Sequence, residues 1–226
     1  MSRLEHRTFE DAHAIGLEAQ DGVAAYLSRA PNARVWKADH PEGGAAYFDA
    51  NGLPIPDLIK MQVGRGATLV EVKAKTDWFR EGGTVGPLET MIEARHIRSY
   101  SEVAFRYLTP VVVVFVMRID HTKLNKNGKP RRGHAGCWFA RIEDLLPLLD
   151  LPPRTGDRRG GGRCPIHSLY RIQDGGPLRP LCPWDEATKS VPMDLAAWEA
   201  WLTLEPLSPR PAITHQSGPQ CGSPSH

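Results

Sequence analysis

The chain has 226 residues, enough for one domain with a proper core or one domain plus extensions. Its 41% hydrophobic and 24% charged content fits a soluble globular protein, and no window approaches the eighteen consecutive apolar residues of a membrane span. A net charge of +2 is too small to argue for a nucleic-acid partner by itself, so any such argument rests on how the charge is distributed.

Residues 9–29 predict a helix, with Ala12, Ile15, Ala19, Val23 and Tyr26 on one stripe and Leu17, Ala24 and Leu27 beside it. Ala30-Pro31-Asn32 should stop it. Short strands are expected over 33–38 and 44–49, followed by a turn at Asn51-Gly52. The most informative stretch comes next. Residues 57–63 and 67–75 predict a hairpin around Gly64-Arg65-Gly66, with Asp57 preceded by Pro56 at its start. Strand side chains alternate, so Glu71 and Lys73 share one face while Val70, Val72 and Ala74 share the other. Two opposite charges on one face of so apolar a strand point to chemistry. With a second carboxylate from the neighbouring strand, they can hold a divalent cation and an attacking water.

Residues 76–87 read as a Gly-rich loop whose Trp78 is a candidate nucleic-acid contact. A long helix is expected over 88–107, with Met91, Ile92, Ile97, Tyr100, Val103 and Ala104 as core positions. The continuous apolar run 110–118 predicts a strand covered on both faces, hence a sheet with helices on each side. Strands are also expected over 136–142 and 164–172, and short helices over 142–149 and 193–203. Domain organisation follows: a core over 1–150, an extension packed on it over 151–204 and a disordered tail over 205–226.

Two basic segments stand out. Six Lys/Arg lie between Arg118 and Arg132 against one Asp, and four Arg between Arg154 and Arg163 against one Asp. Both are loop-like, and flexible basic loops suit a phosphate backbone. The candidate contacts are Lys126, Lys129, Arg131, Arg132, Arg158 and Arg159, together with Lys75 beyond Lys73 and Arg95 and His96 on the 88–107 helix. Each also reads as an ordinary solvated charge. The pairs His134-x-x-Cys137 and Cys164-x-x-His167 have spacings compatible with structural zinc, although Cys and His in strands are more often packing residues. The four cysteines are too sparse for a disulfide framework, and the N-terminal residues hold no apolar secretory segment, so a cytoplasmic location is expected.

Pro56-Asp57 and Glu71-Val72-Lys73, on a hairpin with a helix to each side, resemble the PD-(D/E)XK (restriction-endonuclease-like) nuclease superfamily. The resemblance implies an α/β core with a central mixed sheet of about five strands, and Mg²⁺-dependent hydrolysis of phosphodiester bonds, expected to be an endonuclease acting on DNA and leaving a 5′-phosphate. It implies Asp57, Glu71 and the Val72 carbonyl as metal ligands, Mn²⁺ as a substitute, and Lys73 beside the attacking water. In that family the first helix usually offers a Glu to the metal. Here the corresponding register Gly16, Gln20, Val23, Ala24, Leu27 puts Gln20 at that position, while Glu18 sits about 200° around the helix. Gln20 is taken as the inward residue, with Glu18 as its rival. A homodimer would suit double-strand cleavage. The alternatives are a nucleic-acid-binding protein of the same fold with little or no cleavage activity, and a scaffold unrelated to nucleic acid.

Overall fold

Two strands of valine-rich sequence organise the molecule, and everything else is layered on them. The computed structural model describes residues 9–38, 48–75, 89–120, 122, 124, 128, 133–151, 169–173 and 176–192. Helix α1 spans Phe9–Leu27, followed by β1 (Ala33–Lys37), β2 (Leu58–Gln62), β3 (Gly66–Lys75), β4 (Glu89–Glu93), α2 (Ala94–Tyr107), β5 (Val111–Met117), β6 (Gly136–Arg141) and α3 (Ile142–Leu145). A 3₁₀ turn over Leu146–Asp150 leads on to β7 (Leu169–Gln173) and β8 (Arg179–Cys182). The main sheet has six strands in the order β1-β2-β3-β5-β6-β8, with β4 and β7 forming a separate two-stranded ribbon. Among the described residues only β3 and β5 pair in parallel; every other pairing there is antiparallel. The mixed α/β sheet with helices on both faces is therefore as expected.

The β2–β3 hairpin forms because Gly64 and Gly66 both take positive φ, 78° each, which residues with a Cβ rarely adopt. Each central strand then sends alternate side chains to opposite layers. Val111, Val113, Phe115 and Met117 of β5 pack with Ile97, Tyr100 and Val103 of α2 and Ile142 and Leu145 of α3. Val114 and Val116, with Val70 and Val72 of β3 and Leu58 of β2, pack under Ala19 and Val23 of α1. Truncating a fully buried ring such as Phe115 to Ala costs about 3–5 kcal/mol in settings of this kind.

One expectation needs correction, and one strand was not foreseen. Residues 89–93 are strand β4, not the first turns of the long helix, which begins at Ala94. Thr90 and Ile92 are β-branched and buried, and the strand is completed by a partner, β7, about eighty residues away. Strand β8, unforeseen because Pro180 interrupts it, pairs along β6 in register Trp138↔Pro180 and Cys137↔Cys182. With it the main sheet reaches six strands, against the about five expected. Of the expected 44–49 strand only the end is described, where Phe48 bridges Pro54.

Candidate active site

The site is built where β2 ends and β3 continues. The last β2–β3 partners are Leu58 and Val70, so the next inward-facing N–H of β3, that of Val72, has lost its strand neighbour. The Asp57 side chain replaces it: Val72 N–H donates to Asp57 Oδ2 at 2.7 Å. The Asp57 backbone carbonyl meanwhile accepts from Ala38 N–H at 2.8 Å, pinning the residue after Pro56 to the chain leaving β1. The second carboxylate oxygen, Oδ1, accepts from Gln20 Nε2 on α1 at 2.9 Å. Asp57 is thus held from two sides and is only 8% exposed.

Glu71, 5% exposed, stands beside it within hydrogen-bonding reach of the Asp57 carboxyl. Lys73 Nζ donates to Glu71 Oε1 from the same strand face, and the Tyr100 hydroxyl of α2 hydrogen-bonds Glu71 from above. Two carboxyl groups buried together cannot both ionise cheaply. Burial first, and then the neighbouring Glu71, raise the Asp57 pKa from its ordinary 3.8 to about 7, against the opposing pull of the Val72 N–H and the Lys73 ammonium. Burial and the carboxylate of Glu71 also push the Tyr100 phenol well above its usual value, so it remains a donor.

Beyond Lys73 lies a small cavity of about 70 Å³, lined by Lys73, Lys75, Met91, Ile92, Glu93 and His96. Burial and the adjacent Lys73 lower the Lys75 pKa to about 8, with Glu93 opposing them. Burial and Lys73 likewise lower the His96 pKa to about 4, so at neutral pH its ring is uncharged; it stacks near Tyr100 with centroids 6.0 Å apart. His96 can therefore offer an N–H to a phosphate but no charge. Arg95 is exposed and ion-paired with Glu93.

The structure brings Gln20, Asp57, Glu71, Val72 and Lys73 into one cluster, with Lys75 and His96 at its margin. It separates the two rivals on α1: Gln20 meets Asp57, whereas Glu18 turns the other way to Arg118, 2.9 Å from its guanidinium. Arg118 itself does not belong to a basic loop. It is 3% exposed, and its fork grips both oxygens of Glu186 at 3.0 Å each. Lys126, Lys129, Arg131, Arg132, Arg158, Arg159, Trp78, Cys164 and His167 lie outside the described residues. The zinc pattern finds no support from its described half. His134 is exposed whereas Cys137 is fully buried in β6 with its thiol against Cys182. Tyr100 is the residue that sequence reasoning placed only in the core. The signal that could have found it is its polar tip on an otherwise apolar helix stripe, since a buried Tyr hydroxyl needs a partner.

Among the described residues no three His, Cys, Asp or Glu side chains gather into a ready-made cage. The pair Asp57–Glu71 nevertheless fits a hard divalent cation. Mg²⁺ is held by one or two carboxylates and keeps several waters for the substrate to displace. A shared proton between two buried acids also marks a place where a cation can substitute for it.

No family model matches the chain, and no curated protein does. Among solved structures the chain is similar to Hjc, a Holliday junction resolvase from the archaeal hyperthermophile Archaeoglobus fulgidus. The TM-score is 0.40 at 16% sequence identity, with 71% of this chain and 89% of that chain covered. No helix among the described residues is long and apolar enough to cross a membrane.

Proposed function

We propose that the chain is a divalent-metal-dependent nuclease that hydrolyses phosphodiester bonds within DNA. The observation that carries this reading is the acid pair: Asp57 and Glu71, buried and touching, with Lys73 on one and Gln20 on the other. A structural role explains such a pair badly, because forcing two carboxyls together costs stability unless something else uses them.

Asp57, Glu71 and the Val72 carbonyl would hold the cation. In an extended strand a residue's N–H and C=O point to the same neighbour, so the Val72 carbonyl opens on the edge where its N–H meets Asp57. Bound there, Mg²⁺ or Mn²⁺ supplies polarisation of the scissile phosphate and a water acidic enough to give hydroxide near neutral pH. The remaining work belongs to side chains. Gln20 and the Val72 N–H fix the Asp57 carboxylate, and Tyr100 fixes Glu71 from the opposite layer. Lys73, with its side chain about a quarter exposed, can swing from Glu71 to hold the attacking water or the charge growing on the phosphorus oxygens. Lys75 and the neutral His96 line the adjoining cavity and would contact backbone phosphates, and Arg95 would add a charge at the rim. The basic residues Lys126, Lys129, Arg131, Arg132, Arg158 and Arg159 would extend the same track.

One observation favours a second reading. The third position around Asp57 is an amide, so the cluster carries two acids rather than three. A DNA-binding protein with weak cleavage fits that weaker charge. A cleavage assay separates the readings: purified chain with Mg²⁺ or Mn²⁺ is expected to cut linear, supercoiled or branched DNA, and Glu71→Ala and Lys73→Ala to lower that rate by about a hundred- to a thousandfold. DNA retained at low salt but left intact on every substrate contradicts the nuclease.

A further inference from the structure

A second polar cluster lies on the far flank of α1, and nothing in the chemistry above uses it. Arg118 follows β5, and its backbone N–H extends the β3–β5 ladder by donating to Lys75 O at 2.7 Å. Its side chain rises on the α1 side of the sheet. There the guanidinium donates to Ile15 O of α1 at 3.1 Å, pairs with Glu18 and is seized by Glu186, while stacking over Trp184 at 5.7 Å. Trp184 in turn donates Nε1–H to Glu186 Oε2 at 3.0 Å. The segment after β8 therefore forms a strap along α1. It touches the helix again at Gly22, where a Cβ would come 2.5 Å from the Trp184 ring; just past the helix end Arg29 donates to Val191 O, while Tyr26 of α1 donates to Leu181 O of β8 itself.

We propose that Arg118, braced by Glu186, is a positioning residue that sets the rotation of α1 and so keeps Gln20 on Asp57. The geometry is that of a helix held on two opposite flanks. Ala19 faces the sheet and is fully buried; Glu18 on one side is tied to Arg118, and Gln20 on the other to Asp57. The fully buried contacts of α1 with the sheet are Ala19 and Val23, with Tyr26 and Leu27 partly buried a turn further on, so the turn that carries Glu18 and Gln20 has only Ala19 to key it. A rotation of about 20° moves a side-chain tip about 6 Å from the helix axis by about 2 Å, enough to break the Gln20–Asp57 bond. The forked guanidinium is suited to fixing an orientation, since it makes several hydrogen bonds in one plane where an ammonium makes a point contact.

The role of the Gln20 contact in cleavage rests on the nuclease reading; the positioning itself does not, and the experiment keeps the two apart. Nuclear magnetic resonance of the metal-free protein reports the Gln20 side-chain amide, assigned by its loss in Gln20→Ala, with the Gln62 amide, which donates to Pro31 O away from both clusters, as a control that should not move. In the wild type the Gln20 amide should be displaced from the position of a free glutamine amide and protected from solvent exchange. Arg118→Lys and the milder Glu186→Gln should return it to the position of a free amide, leaving Gln62 unmoved. Gly22→Ala, which changes no charge, should do the same by pressing Trp184 away. An unchanged Gln20 amide in folded Glu186→Gln and Gly22→Ala proteins overturns the proposal. In cleavage assays Arg118→Lys should lower kcat by about a hundredfold with KM little changed, the scale expected of a misplaced active-site group. That loss should nearly vanish in the Gln20→Ala background, and a loss of equal size there also overturns the proposal. Wild-type protein that never cuts DNA defeats the nuclease reading alone, with the amide result still deciding the positioning.

Discussion

Two charge clusters flank α1 on opposite sides, and they are built in opposite ways. Around Arg118 the signs are matched: one guanidinium meets Glu186 and Glu18, and the Glu186 pKa falls to about 2 because hydrogen bonds from Arg118, Lys189 and Trp184 outweigh the burial that would raise it. Around Asp57 the signs are mismatched: two carboxyls share a space with one ammonium, and the Asp57 pKa climbs to about 7. A matched cluster is what a fold needs to orient a helix. A mismatched one is a strain that persists when a ligand relieves it, which is why it is read as the site.

The comparison breaks most sharply at activity. Glu71→Ala and Lys73→Ala should each cut the cleavage rate by about a hundred- to a thousandfold, about 3–4 kcal/mol of barrier, and Glu71→Ala, which relieves the crowded acid pair, should melt close to wild type. Arg118→Met should show the reverse emphasis. It strands Glu186 in a partly buried place and should lower stability by about 3 kcal/mol, read as a fall in the denaturation midpoint. If both substitutions acted alike on folding and on turnover, the two clusters would not differ in kind.

Stability against pH sharpens the same contrast. The Asp57 pKa is raised in the fold, from 3.8 to about 7, so its contribution is fully present below pH 3.8 and is lost as pH rises through 7. His96 runs the other way: its pKa drops from 6.5 to about 4, so the fold gains stability as pH rises between those values. Thermal melts in a chelator should therefore show Asp57→Asn growing more stable relative to wild type from pH 5 to pH 8, with His96 common to both. A difference that stays flat with pH would mean that Asp57 ionises freely. Tyr100→Phe should have a smaller effect, about tenfold in kcat, because Glu71 keeps Lys73 but loses one donor. The smallest effect belongs to a pair in neither cluster. Removing the exposed Glu102–Arg106 pair of α2 by Glu102→Ala should shift stability by less than about 0.5 kcal/mol.

The legibility of these parts in the sequence follows from how local their causes are. The β2–β3 hairpin, the Val-rich β5 and the stripe of α1 are written in periodicity and turn residues within one window, and the sequence reading of them matches the structure closely. Glu71 and Lys73 were readable because strand alternation alone puts them on one face. Strand β4 was not, since Met91 and Ile92 continue the apolar spacing of α2 and only pairing with β7 makes the segment extended. Arg118 looked like the first residue of a basic loop because its partner Glu186 is 68 positions away. Tyr100 fitted a core pattern and does lie in the core, but spacing says nothing of where a hydroxyl points.

The central claim is that the acid pair exists to hold a cation, and Mn²⁺ binding followed by electron paramagnetic resonance tests it without any assumption about substrate. The account predicts one saturable site per chain, tighter at pH 8 than at pH 6 because the Asp57 proton must leave, and abolished by Glu71→Gln. Binding that is absent at millimolar Mn²⁺, or unaffected by Glu71→Gln, would contradict it.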